Sequence, residues 1–249
     1  MKLLSLLFPV ILLLIITSCK VSQETKNQTK SLELISSFKT DVPEPSGLTL
    51  SYDKKALWTV SDETNRAYLI SFEGTIIDSL QLQGIDPEGI TVINDTTITV
   101  IFERERSIAF YNTSGKEINK KIFPEFTGDL NMGFEGIAYN PVNGHYFIVN
   151  EMNPQLLIEI DSDLNIVKQT ELNFADDFSG LYFGDDINYL WIISHESKLV
   201  AKCDLNGNLI ESYNVDIPQL EGIAIDYDTN LIYLICDISE ELFVYKLHK

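Results

Sequence analysis

The sequence is poor in positive charge, in histidine and in the short motifs of several enzyme classes. Lysine and arginine number 18 against 37 aspartates and glutamates, which gives a net charge of −19. Such a chain lacks the basic footprint that DNA, RNA and anionic membrane surfaces require. The histidines at positions 145, 195 and 248 lie too far apart for a zinc cluster. Neither a G-x-S-x-G elbow nor a P-loop occurs in the sequence.

The composition that remains is that of an acidic folded domain. Hydrophobic residues make up 45% of the 249 positions, which is enough for a core and excludes global disorder. A chain of this length can form one all-β domain. The negative charge favours cations or neutral ligands near the surface.

One hydrophobic run stands at the N-terminus. Leu3–Ile16 is almost wholly apolar, follows Lys2 and is too short to span a membrane comfortably. These features are typical of a signal peptide. The run ends in Ile16-Thr17-Ser18-Cys19, which resembles the bacterial lipobox, where the cysteine is acylated and becomes the new N-terminus. The alternatives are an ordinary secretory signal with a chance cysteine and an uncleaved anchor.

We therefore predict three segments. Residues 1–18 form a lipoprotein signal peptide, residues 19–31 carry the lipidated Cys19 and a tether, and residues 32–249 form the folded domain. Residues 20–30 contain one apolar residue and no aromatic residue, which is typical of a flexible tether. The domain is expected outside the cytoplasm, anchored by lipid to the inner or the outer membrane.

A glycine motif recurs five times in the predicted domain. The glycines Gly47, Gly89, Gly136, Gly180 and Gly222 are 42, 47, 44 and 42 residues apart. A spacing of about 40–50 residues is typical of solenoids and propellers. Each interval contains short β-branched and aromatic segments separated by turn residues, so each repeat predicts a four-stranded antiparallel blade.

The last repeat ends after its third strand. Leu32–Phe38 resembles the fourth strands of the other repeats. We therefore predict that it completes the last blade and closes a five-bladed β-propeller, which protects the sheet edges. In this arrangement Cys203 and Cys236 lie at opposite ends of neighbouring blades, so we expect two buried free thiols.

The topology predicts one acidic mouth. Antiparallel pairing places the glycine motifs and the turns after the second strands on the same face of the ring. The residues before the glycines form an inner ring: Ser46, Glu88, Glu135, Ser179 and Glu221. The residues that follow the second strands form an outer ring: Asp62, Glu103, Glu151, His195 and Asp237.

Three interpretations of this mouth remain open. Seven crowded carboxylates repel one another unless something compensates them, and a hard cation such as calcium, which takes six to eight oxygen ligands, is a simple compensator. Alternatively, the inner glutamates accept hydrogen bonds from the backbone of neighbouring blades, and Arg104 and Arg106 pair with the outer acids. The third interpretation is a pocket in which the outer ring binds a small ligand.

Several motifs carry a resemblance to a known family. The most specific are Gly133-Phe134-Glu135-Gly136 and Ser194-His195-Glu196-Ser197, and weaker ones include Asp86-Pro87-Glu88-Gly89 and Glu221-Gly222-Ile223-Ala224. Together they resemble the SdiA-regulated (YjiK) family of bacterial envelope proteins over about residues 32–249. The resemblance implies a β-propeller associated with the cell membrane, without an established biochemical activity.

A second resemblance implies an enzyme. The element Pro87-Glu88-Gly89-Ile90 is similar to one in phytase-like esterase propellers and, more loosely, in regucalcin-type lactonases. That similarity implies a divalent metal held by Glu88, Glu135 and Glu221, with His195 as the general base of a metal-dependent hydrolase. The competing functions are capture of a small ligand or ion and docking of an envelope protein partner. No nucleophile–base pair is visible, which favours binding over catalysis.

Overall fold

The computed structural model describes residues 30–184 and 189–247. These residues form 21 β-strands joined by turns and loops. Two strands precede the first glycine motif: β1 (Lys30–Ser31) and β2 (Glu33–Lys39). Blade 1 contains β3 (Pro45–Leu50), β4 (Leu57–Ser61), β5 (Arg66–Ile70) and β6 (Ile76–Gln81). Blade 2 contains β7 (Pro87–Asn94), β8 (Thr97–Phe102), β9 (Ser107–Asn112) and β10 (Glu117–Ile122).

Three further blades follow in the same order. Blade 3 contains β11 (Phe134–Tyr139), β12 (Tyr146–Asn150), β13 (Leu156–Ile160) and β14 (Ile166–Glu171). Blade 4 contains β15 (Gly180–Phe183), β16 (Tyr189–Ser194), β17 (Leu199–Asp204) and β18 (Leu209–Asn214). Blade 5 contains β19 (Leu220–Asp226), β20 (Leu231–Cys236) and β21 (Glu241–Lys246), and its fourth strand is β2.

The prediction of a five-bladed propeller closed by an N-terminal strand is confirmed. β2 pairs antiparallel with β21, from Glu33 opposite Lys246 to Lys39 opposite Glu241. The backbone N–H of Thr40 extends this pairing by donating to the carbonyl of Glu240 at 2.8 Å. Cys203 and Cys236 are both buried and free, as the predicted strand order required.

The short strand β1 was not expected. Lys30 and Ser31, which the sequence prediction placed in the tether, pair in parallel with Tyr213 and Asn214 of β18. The predicted signal peptide and the lipidation site at Cys19 lie outside the described residues. Among the residues that are described, no helix has the length and hydrophobicity to cross a membrane.

The repeated glycine has a steric cause. Each glycine lies on an innermost strand, where neighbouring blades approach one another most closely. A Cβ atom on Gly136 would lie 2.5 Å from the backbone nitrogen of Leu181 in the next blade. A Cβ atom on Gly47 would lie 2.6 Å from the carbonyl oxygen of Glu88, and Gly47 also has a positive φ of 56°. Only glycine fits such contacts, which explains why the motif recurs once in each blade.

The core lies between the blades. The second strands β4, β12 and β16 are buried along almost their whole length, because each blade packs against a neighbour on both faces. The outermost strands β6, β10 and β14 are largely exposed. The ring therefore presents the ends of its inner strands, and the turns beside them, at two openings on the axis.

Candidate functional site

The inner ring of the mouth is set by bulges in the first strands. The pairing of the first and second strands shifts register next to Ser46, Glu88, Glu135 and Glu221. Such a bulge adds one residue to the first strand and redirects the side chain of that added residue. The residue before each glycine can therefore point toward the axis while the rest of the strand keeps its alternation.

The outer ring occupies one structural position in all five blades. Its members are the first residues after the second strands: Asp62, Glu103, Glu151, His195 and Asp237. In three blades the backbone N–H of this residue donates to the carbonyl of the residue three before the glycine. These bonds join Glu103 to Asp86 and Glu151 to Gly133 at 2.8 Å, and Asp237 to Gln219 at 3.1 Å. The bonds extend the antiparallel ladder and hold the outer ring beside the inner one.

One cavity at this end of the ring brings the predicted residues of the inner and outer rings together. It has a volume of about 200 Å³ and is lined by the three inner glutamates and the five outer-ring residues. Ser46, Ser179, Glu44 and Asn131 complete the lining. Eight of the twelve lining residues carry carboxylates, and none of the twelve is lysine or arginine.

The deepest group of carboxylates lies between blades 2 and 3. One oxygen from each of Glu103, Glu135 and Glu151 falls within 4.8 Å of the others. Glu103 is 4% exposed and Glu135 is 8% exposed. The backbone N–H of Gly133 donates to Glu103 at 2.8 Å. Glu135 contacts the carboxyl group of Glu103, and no hydrogen bond from an N–H or a hydroxyl of the described residues reaches its side chain.

Crowding in this group makes ionisation unfavourable. Burial raises the pKa of Glu103 to about 8, and the neighbouring Asp86 adds to the effect. Burial also raises the pKa of Glu151 to about 7, with a further contribution from the negative charge of Asp177. The pKa of Glu135 lies well above its ordinary value because of burial and of the carboxylates of Glu88 and Glu103. Without a cation, the group holds protons that carboxylates in water release.

A second group lies between blades 1 and 2. Oxygens of Asp62, Asp86 and Glu88 also fall within 4.8 Å of one another. This group has a positive partner, because Arg104 Nε lies 2.9 Å from Asp86 Oδ2. Burial raises the pKa values of Asp62 and Glu88, although a hydrogen bond between Glu88 and Ser46 counteracts part of the effect on Glu88.

The blade 4 side of the mouth carries a histidine held by a buried aspartate. His195 Nδ1 lies 2.8 Å from Asp177 Oδ2, and Asp177 is 0% exposed. Asp177 also accepts hydrogen bonds from the Ser194 hydroxyl and from the backbone N–H groups of His195 and Glu196. The contact with Asp177 raises the pKa of His195. Burial opposes ionisation of Asp177, but its hydrogen bonds outweigh burial and leave its pKa below the ordinary value.

Glu221 and Asp237 complete the ring near this histidine. Glu221 Oε1 lies 3.8 Å from His195 Nδ1. Burial raises the pKa of Glu221 well above its ordinary value, with contributions from Glu88 and Asp237. Glu221 belongs to neither of the two close carboxylate groups found among the described residues. The predicted metal ligands Glu88, Glu135 and Glu221 thus share the cavity, but their nearest carboxylate neighbours differ.

One family model matches most of this chain. The family model described as SdiA-regulated matches residues 22–246. The chain belongs to the SdiA-regulated family. The resemblance seen in the sequence is therefore confirmed over nearly the whole chain.

Solved structures with a similar fold include two enzymes. The crystal structure of Myxococcus xanthus glutaminyl cyclase is similar with a TM-score of 0.71 and 13% identity, over 88% of this chain and 97% of that one. A streptogramin B lyase structure is similar with a TM-score of 0.52 and 18% identity, over 86% of this chain and 73% of that one. At these identities the similarity concerns the fold alone.

Sequence reasoning missed three acids of this SdiA-regulated protein. Glu44, Asp86 and Asp177 all stand three residues before a motif glycine and lie at or beside the mouth. Their shared offset from the glycine was a usable signal. Asn131, from the connection between blades 2 and 3, was also missed, and its position in the sequence gave no indication of its role.

Several polar residues at the mouth have partners other than those predicted from the sequence. Arg104 pairs with Asp86, which is not in the outer ring, and Arg106 donates to the backbone carbonyls of Glu103 and Asp129. Serine hydroxyls also form bonds between blades at the mouth, in addition to the bond from Gly133 to Glu103. Ser46 Oγ donates to the carbonyl of Glu88 at 2.8 Å, and Ser179 Oγ donates to that of Leu220 at 2.6 Å.

Proposed function

We propose that this SdiA-regulated protein is a lipid-anchored envelope protein that binds a divalent cation, with calcium as the favoured ion, at its acidic mouth. The observation that carries the proposal is the lining of the cavity. Eight carboxylates surround about 200 Å³, and no lysine or arginine is among the lining residues. A hard cation with several oxygen ligands would relieve this repulsion.

The dimensions of the carboxylate groups suit such an ion. Calcium binds oxygen at about 2.3–2.6 Å, so ligands on opposite sides of one ion lie about 5 Å apart. In each of the two groups the three oxygens lie within 4.8 Å of one another. A single ion can therefore contact all three residues of a group without a large movement of the backbone.

The group between blades 2 and 3 is the better site. Arg104 already offsets part of the charge of the group that contains Asp86 and Glu88. Glu103, Glu135 and Glu151 have no lysine or arginine within ion-pair distance among the described residues. Glu135 is buried and its side chain shares a hydrogen bond with the carboxyl group of Glu103, so an ion can take the place of the shared proton.

The envelope setting rests on the N-terminal sequence. The apolar run and the small residues before Cys19 support lipid anchoring on the outer side of a membrane. Changing Cys19→Ser should move the protein from the membrane fraction of the producing cells to the soluble fraction. Wild-type protein that stays soluble would contradict the anchor.

Calorimetry and thermal unfolding test the proposed ion site. The protein is stripped with EDTA, dialysed and titrated with calcium, and a bound ion should raise the melting temperature because it stabilises the native state. Glu135→Gln should weaken calcium binding by about tenfold or more, since a ligand and a charge are lost. Glu171→Gln, the same change on the exposed outer strand β14, is the matched control and should bind like the wild type.

Two results would contradict the proposal. If calcium, magnesium and manganese all leave the melting temperature of the wild type unchanged, the mouth does not bind a divalent cation. If Glu88→Gln weakens binding as strongly as Glu135→Gln, the ion does not belong to the group between blades 2 and 3. The first result would leave a small ligand or a protein partner as the better candidate for the mouth, whereas the second would move the ion toward the group that contains Glu88.

A second candidate function is metal-dependent hydrolysis of an ester, lactone or phosphate. The observation that favours it is the contact between Asp177 and His195, because a carboxylate on Nδ1 directs Nε2 of the histidine toward the reaction site as a general base. The acidic lining disfavours phosphate substrates, which leaves neutral esters and lactones. Esterase, lactonase and phosphatase assays with calcium, magnesium, manganese or zinc that show no turnover would remove this candidate.

A further inference from the structure

A second cavity opens at the other end of the ring. It lies where the first strands β3, β7, β11 and β15 end, whereas the acidic mouth lies where these strands begin. Its volume is about 330 Å³, larger than that of the mouth and within the range of small-molecule sites. Tyr52, Tyr139, Tyr182 and Phe183 contribute aromatic rings to its lining, beside aliphatic side chains such as Leu50.

The charge of this cavity is unlike that of the rest of the molecule. Its thirteen lining residues include no aspartate and no glutamate, although the chain has 37 of them. Lys54 is the single charged residue in the lining, and its ammonium group lies 3.4 Å from Asp228. The cavity therefore does not attract a cation, and it offers mostly apolar surface to whatever enters.

Two threonine hydroxyls give the cavity a specific polar feature. Thr49 is 6% exposed and Thr91 is 7% exposed, and both line the cavity on adjacent inner strands. Neither hydroxyl takes part in a hydrogen bond with residues 30–184 or 189–247. Neither hydroxyl oxygen is among the buried unpartnered polar atoms of the described residues, so water in the cavity can reach both, and a ligand can take the place of that water.

We infer that this cavity binds an uncharged, mostly apolar small molecule whose polar groups hydrogen-bond to Thr49 and Thr91. The aromatic and aliphatic walls stabilise such a ligand by burying its apolar surface. The two hydroxyls each donate and accept a hydrogen bond, so they orient the ligand without requiring charge. This inference is independent of the cation proposed for the mouth, because the two cavities share no lining residue.

The neutral fluorescent probe N-phenyl-1-naphthylamine tests the inference. It is largely apolar, carries one N–H donor and fluoresces more strongly when it leaves water. We expect saturable binding of one probe per chain, unchanged by calcium. The double variant Thr49→Val with Thr91→Val keeps the shape of both side chains and removes both hydroxyls, so it should raise the probe Kd about fivefold. Tyr52→Ala, at an exposed ring, should raise the Kd as well without disturbing the fold.

The controls separate this cavity from the mouth and from general damage. The mouth variant Glu135→Gln should leave the probe Kd unchanged. Because the threonine hydroxyls have no partner within the part of the chain that the structure describes, the double valine variant should melt at or above the wild-type temperature. The inference fails if the wild type gives no saturable fluorescence change, or if the threonine and tyrosine variants bind the probe as tightly as the wild type.

Discussion

The two ends of the ring differ sharply in charge although the same inner strands form both. At the end where the strands begin, eight carboxylates line a cavity of about 200 Å³. At the end where they finish, a cavity of about 330 Å³ is lined by aromatic, aliphatic and hydroxyl side chains and by one lysine. The blades thus provide a fixed scaffold, and a few residues at each strand end determine the chemistry.

The two ends of the ring also differ in the kind of polar group that lines them. At the mouth, burial and mutual repulsion raise the pKa values of several carboxyl groups, so protons or a cation must compensate the charge. At the other end, Thr49 and Thr91 are neutral, and their hydroxyls line the cavity without a hydrogen-bond partner among the described residues. The first arrangement makes stability depend on pH, and under the two proposals above the mouth responds to a cation and the opposite cavity to an uncharged ligand.

The largest expected effect is a pH dependence that arises from the carboxyl groups of the mouth. Glu103 has a pKa of about 8 in the folded protein against an ordinary 4.5, so the folded state binds more protons than the unfolded state between these values. Stability should therefore fall as pH rises from about 5 through about 8 in the absence of divalent cations. Glu103→Gln should leave stability unchanged at pH 5 and raise it at pH 9 by on the order of 4 kcal/mol.

Urea unfolding in EDTA at pH 5, 7 and 9 measures this effect. The control Glu171→Gln and the double valine variant at the opposite end should keep the wild-type pH dependence. If stability instead rises between pH 6 and pH 9, ionisation of the carboxyl groups at the mouth does not destabilise the fold. The two ends would then not differ in their response to pH.

A smaller effect is expected where the mouth contains an ionised pair. Asp177→Asn should reduce stability by about 2–4 kcal/mol, because the buried carboxylate accepts hydrogen bonds from Ser194, His195 and Glu196. It should also return the pKa of His195 toward 6.5, since Asp177 is the main cause of its rise. The stability that protonated His195 contributes is present below pH 6.5 and is lost as pH rises through its folded pKa.

Urea unfolding and an NMR titration of the imidazole measure these two changes. The matched control is Glu159→Gln, whose carboxylate lies 2.7 Å from His145 Nδ1 on a partly exposed surface. That change should affect stability by less than about 1 kcal/mol. An unchanged His195 pKa in the Asp177 variant would mean that the pair does not hold the imidazole.

The smallest expected changes in stability come from removing single hydroxyl groups at the two ends of the ring. Ser179→Ala should reduce stability by about 1 kcal/mol, because Ser179 Oγ donates to the carbonyl of Leu220 across the blade boundary at 2.6 Å. Thr49→Val should be neutral or slightly stabilising, because its hydroxyl has no partner among the described residues. Thermal unfolding measures both, and equal losses would show that Thr49 has a structural role.

The sequence was sufficient to predict the architecture and the convergence of the acidic residues. The glycine repeat encodes the close approach of neighbouring blades, as the contact between Gly136 and Leu181 illustrates. The place of the outer ring follows from strand alternation and antiparallel pairing, so Glu103 and Glu151 could be assigned to the mouth without coordinates.

The grouping of the carboxylates could not be predicted. It depends on bulges that redirect Glu88 and Glu135, and on Arg104, which neutralises Asp86 in one group only. The uncharged cavity was also missed. Its lining residues Thr91, Tyr139 and Tyr182 are ordinary strand residues in the sequence, and only the packing of four blades brings them together.

The pairing of β2 with β21 bears on the order in which the chain can fold. The two strands are separated by about two hundred residues, and the contact of Thr40 with Glu240 spans that whole interval. Contacts of such high sequence separation form slowly, so the ring can close only late in folding, when β21 is available to pair with β2. Until then β2 is an unpaired strand whose backbone can pair with β21 of another copy of the chain, and such pairing leads to domain swapping or aggregation.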